Sequence, residues 1–426
     1  MLAKFINPVA LQGYEIVPVL RSNPNITIAY WWSTRWISIR SAGNCDPVSL
    51  SKKLVFSTNS SLFSYELRSV FNANKQNNID ASSYMANPLS SCTVDSILFA
   101  MDIAQKTIKF DTPIFCIGTN LPFSLSIIST FSMAQYNPYY DDIVAYYIQN
   151  KPTLDGLGSG IRQIQHNTSS MSNIVGILDA VSTDLFAALY IIANNSIDSP
   201  AVLSTGGFFT CPTGRNTTCK AEDIILTIPA SGASYLNGTY LHTEGIGTFL
   251  SPIEQSISNM FIVLRDAYHI DLGNILSSNT LLNASAFAER IHLDPMVSRV
   301  ANDTQFDNCS WGLGCTKGTT WTKQLLASNP ELVIAIPSVL PSGSAPAVIK
   351  VDYLCPQFRI KSPGSLITSV FIGTWTMYTA LFGIFGLIGP MLEKRYGRRQ
   401  NDTAHSFEVS AGEYDDVSHL LTRLGR

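Results

Sequence analysis

The sequence predicts an α+β protein: a β-rich, disulfide-bonded ectodomain with several helices, then one C-terminal transmembrane helix and a short cytosolic tail. Three observations predict this class. An uncharged apolar stretch lies near the C-terminus, all eight cysteines precede it, and the first third of the chain alternates apolar and polar residues. With 46% hydrophobic residues among 426, the chain can bury a core, which excludes disorder throughout.

Charge is scarce and balanced in this chain. Charged residues make up 14% of it, Ser and Thr together number 80, and the formal net charge is −3. Such a surface of hydroxyls and amides suits an exported protein better than a cytosolic one. Without a basic stripe the chain has little to neutralise a phosphate backbone, so nucleic acid is not an expected partner.

Residues 1–24 form an N-terminal segment, and residues 25–148 predict the β-rich part of the ectodomain. Apolar residues recur there at every second position, with breaks at clusters of Asn, Ser and Pro. The clearest runs are Ile26-x-Ile28-x-Tyr30-x-Trp32, Phe63-x-Tyr65-x-Leu67 and Ile97-x-Phe99-x-Met101. We expect an antiparallel sheet.

Residues 149–171 predict a glycine-rich linker or long loop, and residues 172–362 predict an α+β part. Two helices are expected at Ser172–Ala180 and Thr183–Asn194, with Thr183 capping the second. A third runs from Pro252 to about Ile270, with Ser251 as cap and Glu254 completing a capping box. The apolar stripe of this third helix consists of Ile253, Ile257, Phe261, Leu264 and Tyr268. Strands are expected at 201–210, 223–228, 331–337 and 347–355.

Residues 363–391 predict the transmembrane helix, and residues 392–426 the cytosolic tail. The 24 residues from Leu366 to Gly389 carry no charge, and 11 of them are Leu, Ile, Val or Phe. At about 1.5 Å per residue this stretch is near 36 Å long, enough to cross a hydrocarbon core of about 30 Å with some tilt. Four basic residues follow at once (Lys394, Arg395, Arg398 and Arg399). The positive-inside rule therefore places the C-terminus in the cytosol.

Asparagine acceptor sites support this orientation. Ten Asn-x-Ser/Thr sites occur, against roughly five expected by chance for this composition. Nine precede the span and are predicted to be N-glycosylated: Asn25, Asn59, Asn167, Asn194, Asn216, Asn237, Asn283, Asn302 and Asn308. The tenth, Asn401, follows the span and is expected to stay unmodified.

The cysteines favour an oxidising compartment, because an even number lies on one side of the span only. Cys211 with Cys219, and Cys309 with Cys315, enclose short turns and are predicted to close local loops. The other four can pair in three ways, among which the sequence does not choose: Cys45, Cys92, Cys116 and Cys355. Zinc is not expected, because no Cys-x2-Cys spacing occurs.

The first 20 residues do not resemble a signal peptide, because Pro8, Gln12, Gly13 and Glu15 interrupt them. We expect a signal or a first transmembrane helix upstream. The alternative is a tail-anchored protein with its bulk in the cytosol, and a further alternative is one portion of a larger membrane protein.

Three features carry a resemblance. They are Thr58-Asn-Ser-Ser-Leu-Phe-Ser-Tyr65, the segment Ile270-Asp-Leu-Gly-Asn274, and Cys355 followed by a span and a basic stop. With these features the chain resembles a group of fungal single-pass membrane glycoproteins. That group has no known activity, so the resemblance implies a membrane-anchored glycoprotein and no site residues.

The sequence predicts no catalytic, cofactor-binding or metal-binding residue, so an enzyme is the less favoured class. Ser159 lacks the glycines of a nucleophile elbow, Asp111-Thr-Pro lacks the glycine of an aspartic protease, and His242 lacks the second histidine of a zincin. Three pairs of acids could support a membrane-anchored hydrolase of the secretory pathway, although solvation at the surface explains them more simply. These pairs are Asp141/Asp142, Glu222/Asp223 and Asp266/Asp271.

Two kinds of binding partner are expected besides the lipid bilayer. The cluster Tyr30-Trp31-Trp32 with Trp36 could stack on a glycan ligand, although tryptophans in a strand more often fill a core. Small residues align on one face of the span and could pack against a second copy of the chain or another membrane helix. They are Ser369, Gly373, Thr376, Ala380 and Gly383.

The tail contains two short patterns that fit sorting signals. Tyr414-Asp-Asp-Val fits a tyrosine-based signal, and Asp416 with Leu420 and Leu421 fits an acidic dileucine signal. The predicted location is the plasma membrane or the endosome and vacuole. The predicted role is binding, structural or receptor-like, and the alternative is the hydrolase with a carboxylate pair.

Overall fold

The computed structural model describes residues 14–24, 44–72, 78–89, 91–117, 123–134, 170–195, 201–210, 224–235, 237–274, 278–301, 307–310, 314–327, 347–360 and 362–404. The chain forms two compact units. The larger consists mainly of Cys45–Leu354, and the smaller contains the C-terminal part from Cys355 together with the first described strand.

The described residues contain 18 strands: β1 Tyr14–Arg21, β2 Val48–Ser51, β3 Val55–Thr58, β4 Ser64–Asn72, β5 Asn78–Ile79, β6 Ala81–Tyr84, β7 Cys92–Thr93, β8 Ser96–Asp102, β9 Thr107–Ile117, β10 Phe123–Ala134, β11 Val202–Thr210, β12 Ile225–Thr227, β13 Ala230–Ser234, β14 Tyr240–Glu244, β15 Asp307–Ser310, β16 Gly314–Lys317, β17 Ile349–Lys350 and β18 Tyr353–Ile360.

A twelve-stranded sheet dominates the larger unit. Its order is β14-β13-β11-β8-β9-β10-β4-β3-β17, with β12 beside β11, β5 beside β4 and β7 beside β9. Neighbouring strands run antiparallel, as the period-two pattern predicts. Because β11 pairs with β8, strands from both sides of residues 149–171 belong to one sheet.

The sheet has one buried and one exposed face. In β9, Ile108, Phe110 and Ile114 point inward, whereas Lys109 and Asp111 lie between them on the outer face. Opposite Ser126 and Ile127 of β10 the register shifts by one residue of β4. Such a bulge changes which alternate residues face the core. Leu67 and Val70, three positions apart, are therefore both buried.

Six α-helices accompany the strands in the described ranges: α1 Ser170–Asn195, α2 Glu254–Asp271, α3 Ala284–Arg290, α4 Pro295–Ala301, α5 Trp321–Leu326 and α6 Pro363–Ala404. The two helices predicted before Asn194 are a single helix, α1. Thr183 does not cap a second helix, because its hydroxyl donates to the carbonyl of Asp179 one turn earlier, at 2.7 Å. This back-bond satisfies the hydroxyl inside a continuous helix.

Helix α2 packs against both the sheet and α1. Its Phe261 ring lies nearly perpendicular to the rings of Phe99 and Phe110 of the sheet, and the helix also contacts α1. The predicted apolar stripe, from Ile253 to Tyr268, is buried throughout.

The start of the predicted third helix differs from expectation. A 3₁₀ turn, Ser251–Ile253, precedes α2, and neither N-terminus has a side-chain cap from Ser251 or Glu254. Asp294 instead accepts from the Ser256 backbone N–H at 3.1 Å and from its hydroxyl at 2.8 Å. A carboxylate distant in sequence thus accepts hydrogen bonds from the first turn of α2.

Disulfide bonds stabilise the described part of the chain. Cys92 of β7 is bonded to Cys116 of β9, its register partner, and both are buried. Cys45 and Cys355 are also disulfide-bonded. Cys309 and Cys315 face each other in the hairpin β15–β16, where their bridge stays a prediction, and Cys211 and Cys219 lie outside the described residues.

The smaller unit contains the pair β1–β18 and the helix α6. Within α6, Pro363–Arg395 is long and apolar enough to cross a membrane, and none of its most apolar window is buried. The helix covers the predicted span of residues 363–391 and continues past Pro390 to Ala404.

Candidate functional site

The outer face of the large sheet carries a groove of about 320 Å³. Its floor consists of small residues that face one another in register: Ala100 of β8, Ser204 of β11 and Gly232 of β13. Larger residues end this row, His242 of β14 beside Gly232 and Lys109 of β9 beside Ala100. Four strand spacings separate the two ends, or about 19 Å.

One wall of the groove is aromatic. The side chain of Tyr240 is 58% exposed, and its ring centroid lies 6.5 Å from that of His242. A Cβ atom at Gly232 would clash with Tyr240 Oη, so the ring crosses the space that a side chain there would occupy. Glycine is therefore the residue that lets this tyrosine lie along the sheet.

The opposite wall is charged and hydrogen-bonded. Lys109 Nζ and Asp111 Oδ2 are 2.7 Å apart, and the Thr130 hydroxyl donates to Asp111 Oδ1 at 2.7 Å. Leu98, 50% exposed, faces Asp111 in register and adds an apolar surface beside the pair. This wall offers a donor and an acceptor that are already oriented.

The groove contains a single carboxylate among its described lining residues. Glycoside hydrolysis needs two carboxyl groups about 5 to 10 Å apart, and Asp111 is the one carboxylate among the residues that line the groove. Within the described ranges there is also no group of three His, Cys, Asp or Glu residues that could hold a metal ion.

The pair Asp266/Asp271 is buried, so its interpretation as solvated surface acids is wrong. Asp271 accepts hydrogen bonds from the Thr58 hydroxyl at 2.7 Å, the Leu62 backbone N–H at 3.2 Å and the Tyr65 hydroxyl at 2.6 Å. Burial raises the pKa of Asp271, and the bonds from Tyr65 and Thr58 oppose that rise. We call this cluster the Asp271 latch.

The latch joins two of the segments that carry the resemblance. Thr58 and Tyr65 are the first and last residues of one segment, and Asp271 belongs to the other. Two further contacts join the second segment to other parts of the larger unit. The Asn274 side-chain amide donates to the carbonyl of Cys92, and Gly273 adopts a φ of 76° where a Cβ atom would lie 2.7 Å from the Ala347 backbone nitrogen. These segments are structural, which explains why no chemistry could be assigned to them.

Asp266 is likewise committed to structure. Its carboxylate accepts from the Thr280 backbone N–H at 2.8 Å and hydroxyl at 2.7 Å, and its Oδ1 lies 3.6 Å from Arg265 Nη1. The guanidinium of Arg265 lies over the Phe209 ring, 4.8 Å from its centroid. Burial, with Arg265 as a second cause, lowers the pKa of His269 to about 3. The imidazole is therefore neutral in the folded protein at neutral pH.

Several residues that the sequence raises as candidates lie outside the described ranges. They include Ser159, which the sequence already argues against, the cluster Tyr30–Trp36, the acids at 141–142 and 222–223, and the tail residues Tyr414, Asp416, Leu420 and Leu421. His242, compared with zincins in the sequence, lies on strand β14 instead. Tyr240 and His242 are two residues apart, a spacing that places both rings on one face of a strand. This spacing is the sequence signal that could have indicated β14.

Three of the predicted acceptor asparagines have described side chains, and none of these is buried. Asn59 and Asn237 are exposed, and Asn283 is half-buried at the N-cap of α3. Asn237 lies between β13 and β14, where its Oδ1 accepts from the Thr239 backbone N–H at 2.9 Å. Asn194 and Asn308 lie on α1 and β15, and the remaining four are outside the described residues: Asn25, Asn167, Asn216 and Asn302.

The predicted packing residues of the span all lie on α6. Gly383 has open space around it, with no atom within 4 Å of a Cβ placed there. The Thr376 hydroxyl is satisfied within the helix, since it lies 2.9 Å from the carbonyl of Ile372. The packing face of Ser369, Gly373, Thr376, Ala380 and Gly383 stays a prediction.

The chain matches no family model, no curated protein and no solved structure. The resemblance to fungal membrane glycoproteins accordingly stays a prediction, and the function must be argued from the molecule itself.

Proposed function

We propose that the chain is a single-pass membrane glycoprotein whose disulfide-bonded domain lies outside the cytosol and has a binding role. The observation that carries this proposal is the exposure of α6. Large apolar side chains are exposed along it, among them Phe371 at 66%, Phe382 at 70% and Phe385 at 71%. Water does not stabilise such a surface, whereas a hydrocarbon solvent does.

The polar groups of α6 support the same environment. The hydroxyls of Thr374 and Thr379 lie 2.9 and 3.0 Å from the carbonyls of Val370 and Trp375 one turn earlier. In a bilayer core every polar group needs an internal partner, and these back-bonds supply one. The threonines are therefore compatible with a spanning helix.

The disulfide and the acceptor sites support a location outside the cytosol. Disulfides such as Cys92–Cys116 persist in oxidising compartments. Exposed acceptor asparagines, Asn59 and Asn237, leave room for a bulky glycan on the folded domain. Together with the basic residues after the span, these features favour a luminal or extracellular domain, at the plasma membrane or in the endosome and vacuole.

Enzymatic deglycosylation of the chain expressed in its native membranes tests this proposal. We expect deglycosylation to increase the mobility of the wild-type chain. In Asn59→Gln and in Asn237→Gln the shift should be smaller by the contribution of one glycan. The matched control is Asn401→Gln, which alters the acceptor beyond the span and should leave the shift unchanged. Absence of any shift, or a shift lost in Asn401→Gln alone, would overturn the proposed topology.

The hydrolase alternative gains no support from the described residues. Asp266 and Asp271 are each held by structural donors inside the core, and the groove has a single carboxylate. Binding is thus the role that the exposed face supports best.

A further inference from the structure

We infer that the groove on the outer sheet face is a binding site for a neutral saccharide. The inference rests on the binding role proposed above and adds the place and the chemical class of the ligand. The groove is lined by residues of five neighbouring strands, β9, β8, β11, β13 and β14. A volume of about 320 Å³ lies at the lower end of the range for small-molecule sites, roughly 300 to 1,000 Å³.

The two walls provide the two kinds of contact that a sugar ring requires. The exposed Tyr240 ring, with Leu98 across the groove, can cover the apolar C–H face of a pyranose. The Lys109 ammonium and the Asp111 carboxylate can donate to and accept from the ring hydroxyls. Ser204 adds a hydroxyl on the floor.

The charge of the groove favours a neutral ligand. Lys109 and Asp111 form an ion pair, so their charges compensate each other and neither is left to attract an ion. A phosphate or a polyanion would require unpaired cations, and a cationic ligand would require unpaired carboxylates. A polyhydroxylated, uncharged ligand can instead hydrogen-bond to both members of the pair.

The site is formed before any ligand arrives. Thr130 holds Asp111 from the neighbouring strand, and behind the floor the hydroxyls of Ser231 and Thr243 are 2.7 Å apart, joining β13 to β14. Because the residues sit on paired strands, binding need not order a loop. We therefore expect measurable affinity from a small contact area.

Titration calorimetry on the full chain in detergent micelles tests the inference. Its N-glycans are first trimmed to single sugars, so that they do not compete. The probes are short oligosaccharides of glucose, mannose and N-acetylglucosamine, with sialylated and sulfated oligosaccharides as charged comparisons. We expect saturable binding of at least one neutral probe and none of the charged ones.

Four variants locate the site. Tyr240→Ala should weaken binding roughly tenfold by removing the stacking face, and Asp111→Asn should weaken it to a similar extent. Gly232→Ala retains the tyrosine but forces its ring away, so it should also weaken binding. Leu241→Ala is the matched control, because Leu241 is the 44% exposed neighbour of Tyr240 that does not line the groove.

Unchanged thermal unfolding of each variant verifies that the sheet is intact. Failure of every neutral probe to bind at millimolar concentration would overturn the inference, as would equal binding by wild type and Tyr240→Ala. Either result leaves the deglycosylation test unaffected, so the membrane glycoprotein proposal stands or fails separately.

Discussion

Two long helices of this chain, α2 and α6, differ in what they bury. Helix α2 buries charged residues, whereas α6 exposes large apolar side chains. In α2, 14 of 18 residues are buried, including the charged residues Arg265, Asp266 and Asp271. In α6, the uncharged apolar window is not buried at all. In a molecule surrounded only by water, the helix with charged residues would be exposed and the apolar helix would be buried. Burying charge and exposing large apolar side chains both cost free energy.

We propose that lipid surrounds α6, whereas the protein core surrounds α2. The buried carboxylates of α2 are tolerated because hydrogen-bond donors surround them, as Thr58 and Tyr65 surround Asp271. The apolar surface of α6 is tolerated if lipid covers it. Substitutions in either helix test this difference.

Charges in the middle of α6 should have the largest effect. Met377 and Leu381 are 57% and 55% exposed and lie outside the predicted packing face. Met377→Asp with Leu381→Asp should cost about 6 kcal/mol of insertion free energy, at roughly 3 kcal/mol for each central charge. The measurement is the fraction of chain recovered in membranes. Met377→Leu with Leu381→Ile is the matched control, and equal recovery of both double variants would refute a spanning α6.

Removing the carboxylate of the Asp271 latch should have the next largest effect, a loss of folding stability. Asp271→Ala leaves three buried donors without their acceptor, for an expected loss of about 4 kcal/mol in the free energy of unfolding. Urea titration of the purified chain measures it. The exposed Asp352→Ala should change stability by less than about 0.5 kcal/mol. If Asp271→Ala lowered the free energy of unfolding by less than 1 kcal/mol, the Asp271 latch would not stabilise the core.

His269 should make the larger unit sensitive to acid. Its pKa is lowered to about 3 by burial and by Arg265, whereas the unfolded chain takes up the proton near pH 6.5. Protons therefore favour the unfolded state as pH falls below about 6.5. The contribution between pH 6.5 and 4 is roughly 3 kcal/mol.

The measurement is unfolding free energy against pH for the wild type and for His269→Leu. The variant should lose less stability over that interval, because its unfolded state no longer gains this proton. Parallel curves for the two proteins would show that His269 is not buried in its neutral form.

The antiparallel sheet, the buried stripe of α2 and the uncharged C-terminal helix could be predicted because each leaves a local, periodic pattern. Phe63, Tyr65 and Leu67 are buried as their alternation indicates. The Asp271 latch could not be predicted, because Asp271 and Thr58 are 213 residues apart and a buried acid has no sequence signature of its own.

The groove was missed for a similar reason. Its walls come from strands as distant as β8 and β14, and their adjacency depends on sheet order. The sequence predicts glycan stacking at the aromatic cluster Tyr30–Trp36, whereas the groove has one tyrosine opposite an ion pair. The partner of Cys92 depended on sheet order too, since β7 pairs with β9.

Association of the span should give the smallest effect. Gly383→Leu enlarges a residue of the predicted packing face and should weaken helix pairing by about 1 kcal/mol. Gly389→Leu is the matched control, because at 100° per residue it lies on the opposite face and also has open space around it. A membrane two-hybrid assay measures both. Equal signals would show that the small residues do not mediate pairing.

The most direct test of the account is alkaline carbonate extraction of native membranes that contain the unaltered chain. Since we hold that lipid is the solvent of α6, the chain should remain in the pellet and enter solution only with detergent. Release of the intact chain by carbonate alone would show that no helix crosses the bilayer.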